Sequence, residues 1–168
     1  MTQLNYDVDI ATYAEIDLEE QEITLVWEEP RDIFVLVVRC SDPAELSNAR
    51  LQYWQRHWPH RRVPKGAVVG AGGSGWMAQD DWFNGGWKDA DADLKVEGNN
   101  AIYTFNPINA KEFPDIEDFD AVYRRTLKLR LVFDGKRPEV EKIEAYSDSV
   151  WRDTEFRIEW GDGFSRVN

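Results

Sequence analysis

The chain has 168 residues, 42% of them hydrophobic and 31% charged, which suits one globular domain whose core closes without metal or disulfide staples. Its 32 acidic against 20 basic side chains give a formal net charge of −12, a field that repels polyanions, argues against nucleic acid and anionic membranes as partners, and favours neutral or cationic ligands. Cys40 is the only cysteine, so no intramolecular disulfide can form, and eight tryptophans exceed what packing alone asks for.

In chain order, residues 1–30 hold no Lys or Arg and show neither the basic nor the apolar region of a signal peptide, and no apolar run reaches membrane-spanning length. Residues 8–13 read as a short strand. Residues 22–27 alternate as a strand, residues 28–32 (Glu-Glu-Pro-Arg-Asp) read as a turn, and 33–39 form the nearly continuous apolar run of a central strand. Cys40, at the end of that run, reads as a buried, inert thiol. Residues 42–49 suit one or two helical turns capped by Ser41 or Asp42, and 50–54 suit another strand.

Farther on, 67–69 and 100–105 are short β-rich segments, the second entered through a Gly98-Asn99 turn. Leu127, Leu129, Leu131 and Phe133 alternate with Lys128, Arg130 and Val132, the period of a half-buried strand. Residues 140–146 and the alternation Phe156, Ile158, Trp160 follow, and three such consecutive segments imply one antiparallel sheet. Eight or so short strands without repeated β-then-helix units predict an all-β antiparallel sandwich of one domain, residues 1–168. Two strand-poor stretches, 59–94 and 107–121, have the length of functional loops.

Three pieces carry a family resemblance: Glu22 through Arg39, Leu51-Gln-Tyr-Trp54, and Thr126 through Phe133 with Val140–Tyr146 and Phe156-Arg-Ile-Glu-Trp160. In these the chain resembles the discoidin-type, galactose-binding-like jelly rolls, which include the coagulation-factor type C domains and many carbohydrate-binding modules. The resemblance implies non-catalytic recognition by loops at one end of the sandwich, commonly of glycans. It also implies an extracellular or periplasmic setting within a larger chain with neighbouring domains, and it admits a structural Ca²⁺. The Cys pair that staples many members is missing, and residues 59–121 align with nothing in the family.

The most informative segment runs from Gly70 to Trp87. Its glycines let a loop fold tightly, and Trp76, Trp82 and Trp87 supply rigid indole platforms for a pyranose while Gln79, Asp81 and Asn84 supply hydrogen bonds to its hydroxyls. The same aromatics would equally plug the open end of a sandwich. Trp54, His57, Trp58 and His60 lie in a cationic and aromatic patch, residues 51–62, whose Arg56, Arg61 and Arg62 are able to receive a carboxylated or sulfated sugar, or to pair with surface acids.

Asp89, Asp91 and Asp93 imitate the start of a calcium loop, but Leu94 replaces the needed Gly and Asn100 the needed Glu, so an EF-hand is excluded. Asp115, Asp118 and Asp120 are candidate ligands for a structural Ca²⁺, with a solvated acidic loop as the alternative. No nucleophile motif appears, and no catalytic residue is assigned. The expected function is a carbohydrate-binding module that recognises a glycan or polysaccharide. The alternatives are a protein-interaction module of a larger assembly and a small β-sandwich enzyme.

Overall fold

The computed structural model describes residues 9–56, 82, 85–113 and 122–147. Within these, nine strands form two antiparallel sheets packed face to face, the sandwich that the strand patterns predict. They are β1 (Glu15–Leu18), β2 (Glu22–Ile33), β3 (Val35–Cys40), β4 (Arg50–Arg56), β5 (Gly85–Asp89), β6 (Ala92–Glu97), β7 (Asn100–Phe105), β8 (Arg124–Val132) and β9 (Val140–Tyr146). One sheet has the order β1-β2-β8-β4-β5 and the other β6-β7-β3-β9.

Alternation decides which side chains meet between the sheets. Ile23, Leu25 and Trp27 of β2, Leu129 and Leu131 of β8, and Leu51 and Tyr53 of β4 point inward against Leu36 and Val38 of β3 and Tyr103 and Phe105 of β7. The apolar run of β3 is central, flanked by β7 and β9, as its composition predicts. Buried polar tips find partners: Trp27 Nε1 donates to the Ile10 carbonyl (2.7 Å) and the Tyr103 hydroxyl to the Leu46 carbonyl (2.9 Å). Those bonds pin two 3-10 helices, Ile10–Tyr13 and Pro43–Asn48, over the core. Cys40 is fully buried, and burial pushes its thiol pKa upward, which leaves it inert.

Several local expectations are corrected. Residues 10–13 form a 3-10 helix because the Asp9 carboxylate accepts from Ala11 N (2.9 Å), offering the backbone a cap in place of a ladder. No turn separates 22–27 from 31–33. Instead β2 bulges, its pairing with β8 jumping from Val26–Lys128 to Arg31–Thr126, so residues 27–30 face one residue, Leu127. Pro30, which has no N–H to donate, sits in that bulge, and the chain changes sheets at Phe34. The bulge breaks the predicted alternation: Arg124 and Thr126 are buried, Leu127 is half-buried, and Leu129 and Leu131 are buried again.

Strands β8 and β9 lie in different sheets, not one. The connection between them crosses the sandwich and is held by backbone bonds from Phe133 N to Gln21 O, Arg137 N to Glu20 O and Ser41 N to Glu139 O. The stretch 59–94 was expected to be strand-poor, yet it contains β5 and the start of β6. The Gly98-Asn99 turn is as expected, with Gly98 at φ 58°, a left-handed conformation that glycine adopts without steric cost. The predicted strands at 67–69 and 156–160 lie outside the described residues. Among the described residues, no helix is long and apolar enough to cross a membrane.

Candidate functional site

The register places several chain exits at one end of the sandwich. Arg56 pairs with Gly85, Ile33 with Arg124, and Val35 with both Thr104 and Tyr146. The framework residues that bracket the long connections therefore cluster at the end where the chain passes from β2 through Phe34 to β3. Trp82 and Trp87 belong to this end, and both are half-buried.

Trp87 stands on β5 rather than on a loop. On the outer face of the five-stranded sheet it pairs directly with Trp54 of β4, their rings edge to face at 5.5 Å and 78°. Such a pair contributes about 0.5–1.5 kcal/mol beyond the area it buries. The Trp54 indole extends over Gly85, and its Nε1 donates to the Trp82 carbonyl at 2.8 Å. A Cβ at Gly85 would lie 2.7 Å from Trp54 Nε1 and would collide with the Gln55 carbonyl, so glycine is required there. Its role is to receive an indole from the neighbouring strand, not to loosen a loop.

The break in the β2–β8 ladder aims the groups around this pair. The buried Thr126 hydroxyl accepts from the amides of Trp54 (3.1 Å) and Lys128 (3.2 Å) and lies 2.8 Å from the carbonyls of both, standing in for ladder bonds that the bulge interrupts. Lys128 then projects outward with its ammonium 4.6 Å from the Trp54 ring, and Arg130 sets its guanidinium 4.1 Å from the Trp87 ring. Cation–π contacts of this exposure contribute about 0.5–1 kcal/mol each. Arg130 Nε donates to Gln52 Oε1 (2.8 Å), and Gln52 Nε2 donates to Asp89 Oδ1 (2.7 Å), a chain of bonds across β8, β4 and β5. Glu22 lies 3.5 Å from Arg130 Nη1.

Charge on this face is divided. Outward positions of β8, β4 and β5 carry Arg50, Arg125, Lys128 and Arg130 against Asp89, whereas β1 and β2 present Glu15, Asp17, Glu22 and Asp32. Arg125 reaches Asp32 through two bonds of 2.7 and 3.0 Å. Among the described residues Lys128 has no carboxylate partner.

A second cationic group lies inside. Arg124 is fully buried and grips Glu112 through Nε (3.0 Å) and Nη2 (2.5 Å), with the Phe105 ring 5.3 Å and the Tyr53 ring 5.8 Å from its guanidinium. The Tyr53 hydroxyl is buried beside the pair, and among the described residues no hydrogen bond of standard geometry reaches it. Burial, and then the Glu112 charge, hold that phenol far above its usual range. Lys88, inward on β5, covers the Phe113 ring at 3.8 Å, and desolvation lowers its pKa against the pull of Glu112. Asn109 ties the same segment down by donating to Asp91 Oδ2 (2.6 Å). Asp89 and Asp91 are thus spent on Gln52 and Asn109, not on a cation, and Asp93 accepts from Asn106 (3.2 Å).

Of the residues singled out from the sequence, the structure joins Trp82 and Trp87 through Trp54. Trp58, Arg61, Arg62, Trp76, Gln79, Asp81, Asn84, Asp115, Asp118 and Asp120 lie outside the described residues. Among the described residues no group of three or more His, Cys, Asp or Glu side chains could hold a metal ion. Sequence reasoning placed Trp54 in the cationic and aromatic patch of residues 51–62 but did not select Gln52, Lys128 or Arg130. The available signal was the alternation Leu51, Tyr53 inward and Gln52, Trp54 outward, read together with the outward cations of β8. No protein family, curated protein or solved structure matches the chain.

Proposed function

We propose that this sandwich is a non-catalytic carbohydrate-binding module that takes a glycan across the outward indoles of Trp54 and Trp87. The observation that carries the reading is the edge-to-face indole pair, half-buried and set on a rigid sheet at the end where the aromatic, Gly-rich connection joins the framework. Indoles fixed by a sheet lose little entropy when a sugar's C–H face displaces water from them, which is the condition for useful affinity from shallow contact. The discoidin-type relationship is part of this proposal and rests on the strand patterns.

Affinity electrophoresis of the chain against a panel of soluble polysaccharides tests the proposal. Retardation by at least one, lost in Trp87→Ala while the urea unfolding transition persists, is the expected result. Uniform migration across neutral, basic and acidic polysaccharides would overturn it.

A protein partner is the second reading, favoured by β1. Ile16 and Leu18 share the core-facing side with Leu25 and Ile23, yet are 39% and 42% exposed, and Tyr13 is 63% exposed. Apolar side chains grouped beside an edge strand are a usual setting for strand addition. Leu18→Lys would release a bound protein and leave glycan retardation intact.

A further inference from the structure

The glycan reading leaves the class of sugar open, and the net charge of −12 points toward neutral ligands. The local arrangement points elsewhere. We infer that the Trp54–Trp87 face selects an acidic glycan, one whose sugars carry carboxylate or sulfate groups; this inference rests on the glycan-binding reading above.

Lys128 is the centre of the argument. It projects from β8, beside the break in the β2–β8 ladder, over the Trp54 ring, 4.6 Å from its centroid, and among the described residues no carboxylate neutralises it. A lysine on an acidic protein has abundant acids within the chain to pair with, but the nearest outward neighbours on β4 and β5 are indoles. Beside it, Arg130 commits Nε to Gln52 and Nη1 to Glu22, and among the described residues Nη2 has no hydrogen-bond partner. An ammonium and a guanidinium edge therefore flank one aromatic pair with unspent donors aimed to the same side of the sheet. A neutral pyranose would stack on the indoles but leave Lys128 without a counter-charge and the Arg130 Nη2 donors unspent. An acidic sugar satisfies stacking and charge together, and N–H bonds to an anionic oxygen are about twice as strong as neutral ones.

The overall charge does not cancel this preference. At physiological ionic strength fields are screened beyond about 8 Å, so distant carboxylates on β1 and in the rest of the chain act weakly where Lys128 is in contact. The acids of β1 and β2 instead set a border, because a polyanion crossing from β4 toward β2 meets Glu22 and Glu15. The ligand is therefore confined to the β8, β4 and β5 half of the face.

Affinity electrophoresis and calorimetry on the full chain at physiological salt would use three probes: polygalacturonate for carboxylate, a carrageenan for sulfate, and a neutral glucan. The expected result is binding to polygalacturonate or carrageenan at least tenfold tighter than to the glucan, with Lys128→Gln weakening the acidic ligand about tenfold and Lys128→Arg restoring most of it. The carboxylate and sulfate arms distinguish which group supplies the charge. Equal or tighter glucan binding, unaffected by Lys128→Gln, would overturn the acidic preference and leave the glycan reading standing. Acidic glycan binding untouched by Lys128→Gln would overturn the location. Silence of all three probes, extended to the wider panel, would overturn both readings. Unfolding midpoints of both variants, which fall on a solvent-facing position, keep a loss of fold from passing as a loss of binding.

Discussion

Two arginines of one strand show how burial divides the same chemistry into different tasks. Arg124 and Arg130 both lie on β8, both face aromatic rings and both meet a glutamate. The Arg124 side chain is 0% exposed and its Glu112 partner 3%, so neither can exchange the other for water or ligand. Arg130 is 23% exposed, holds Glu22 at 3.5 Å, and shares its guanidinium among Gln52, Glu22 and the Trp87 ring. The sealed pair fastens the segment around Glu112 to the sandwich. The open one can change partners, which recognition requires. The bulge near Leu127 separates them by reversing which β8 positions face inward.

The largest effect should come from breaking the sealed pair. Glu112→Ala leaves Arg124 charged and unpaired inside the sandwich, and urea unfolding is expected to show a loss of about 3–5 kcal/mol; a loss under 1 kcal/mol would mean the pair is not sealed. On the open side, Gly85→Ala forces a Cβ against Trp54 and the Gln55 carbonyl, at a cost of about 1–3 kcal/mol from overpacking. Its tryptophan emission should shift as the Trp54 indole leaves the Trp82 carbonyl. Tyr53→Phe sharpens the comparison from within: because no hydrogen bond of standard geometry reaches the buried hydroxyl among the described residues, its removal is expected to leave stability unchanged or raise it by about 1 kcal/mol. A loss of that size would show that the hydroxyl contributes to the Arg124–Glu112 pair.

The smallest effect lies on β9. Burial works to raise the Glu144 carboxyl, but bonds from Lys142 and Tyr146 outweigh it and hold the pKa below the ordinary value of 4.5. A lowered carboxylate pKa contributes stability that is present above the ordinary value and is lost as pH falls through the lowered one. The unfolding midpoint of Glu144→Gln should therefore fall less steeply than that of the native chain on acidification below pH 4.5; parallel curves would contradict the assignment. Lys142, raised through its bond to Glu144, contributes in the opposite window, keeping its share up to the ordinary lysine value of 10.5 and losing it as pH climbs farther.

The sandwich was legible because its central signals are local. The apolar run of β3, the inward Leu129 and Leu131 and the Gly98 turn each specify their own geometry. What escaped was set by contacts distant in sequence. Gly85 and Gly86 are poor strand formers, and they join β5 because β4 supplies a partner and an indole to cover Gly85. The placement of β8 and β9 in separate sheets depends on bonds from their connection to Gln21, Glu20 and Ser41, which no periodicity within 127–146 encodes. Trp87 stands out in the sequence as one aromatic of a Gly-rich stretch read as a loop, which says nothing of its strand partners. Its partners Trp54, Lys128 and Arg130 become visible only once β4, β5 and β8 lie side by side.

The central claim, that the outward indoles take a glycan, is tested most directly by following the indole N–H resonances of an isotopically labelled chain during titration with the polysaccharide selected by electrophoresis. Progressive shifts of Trp54 and Trp87, with the core Trp27 signal unmoved, are the predicted result. A saturated complex in which Trp54 and Trp87 keep their free positions would contradict the account.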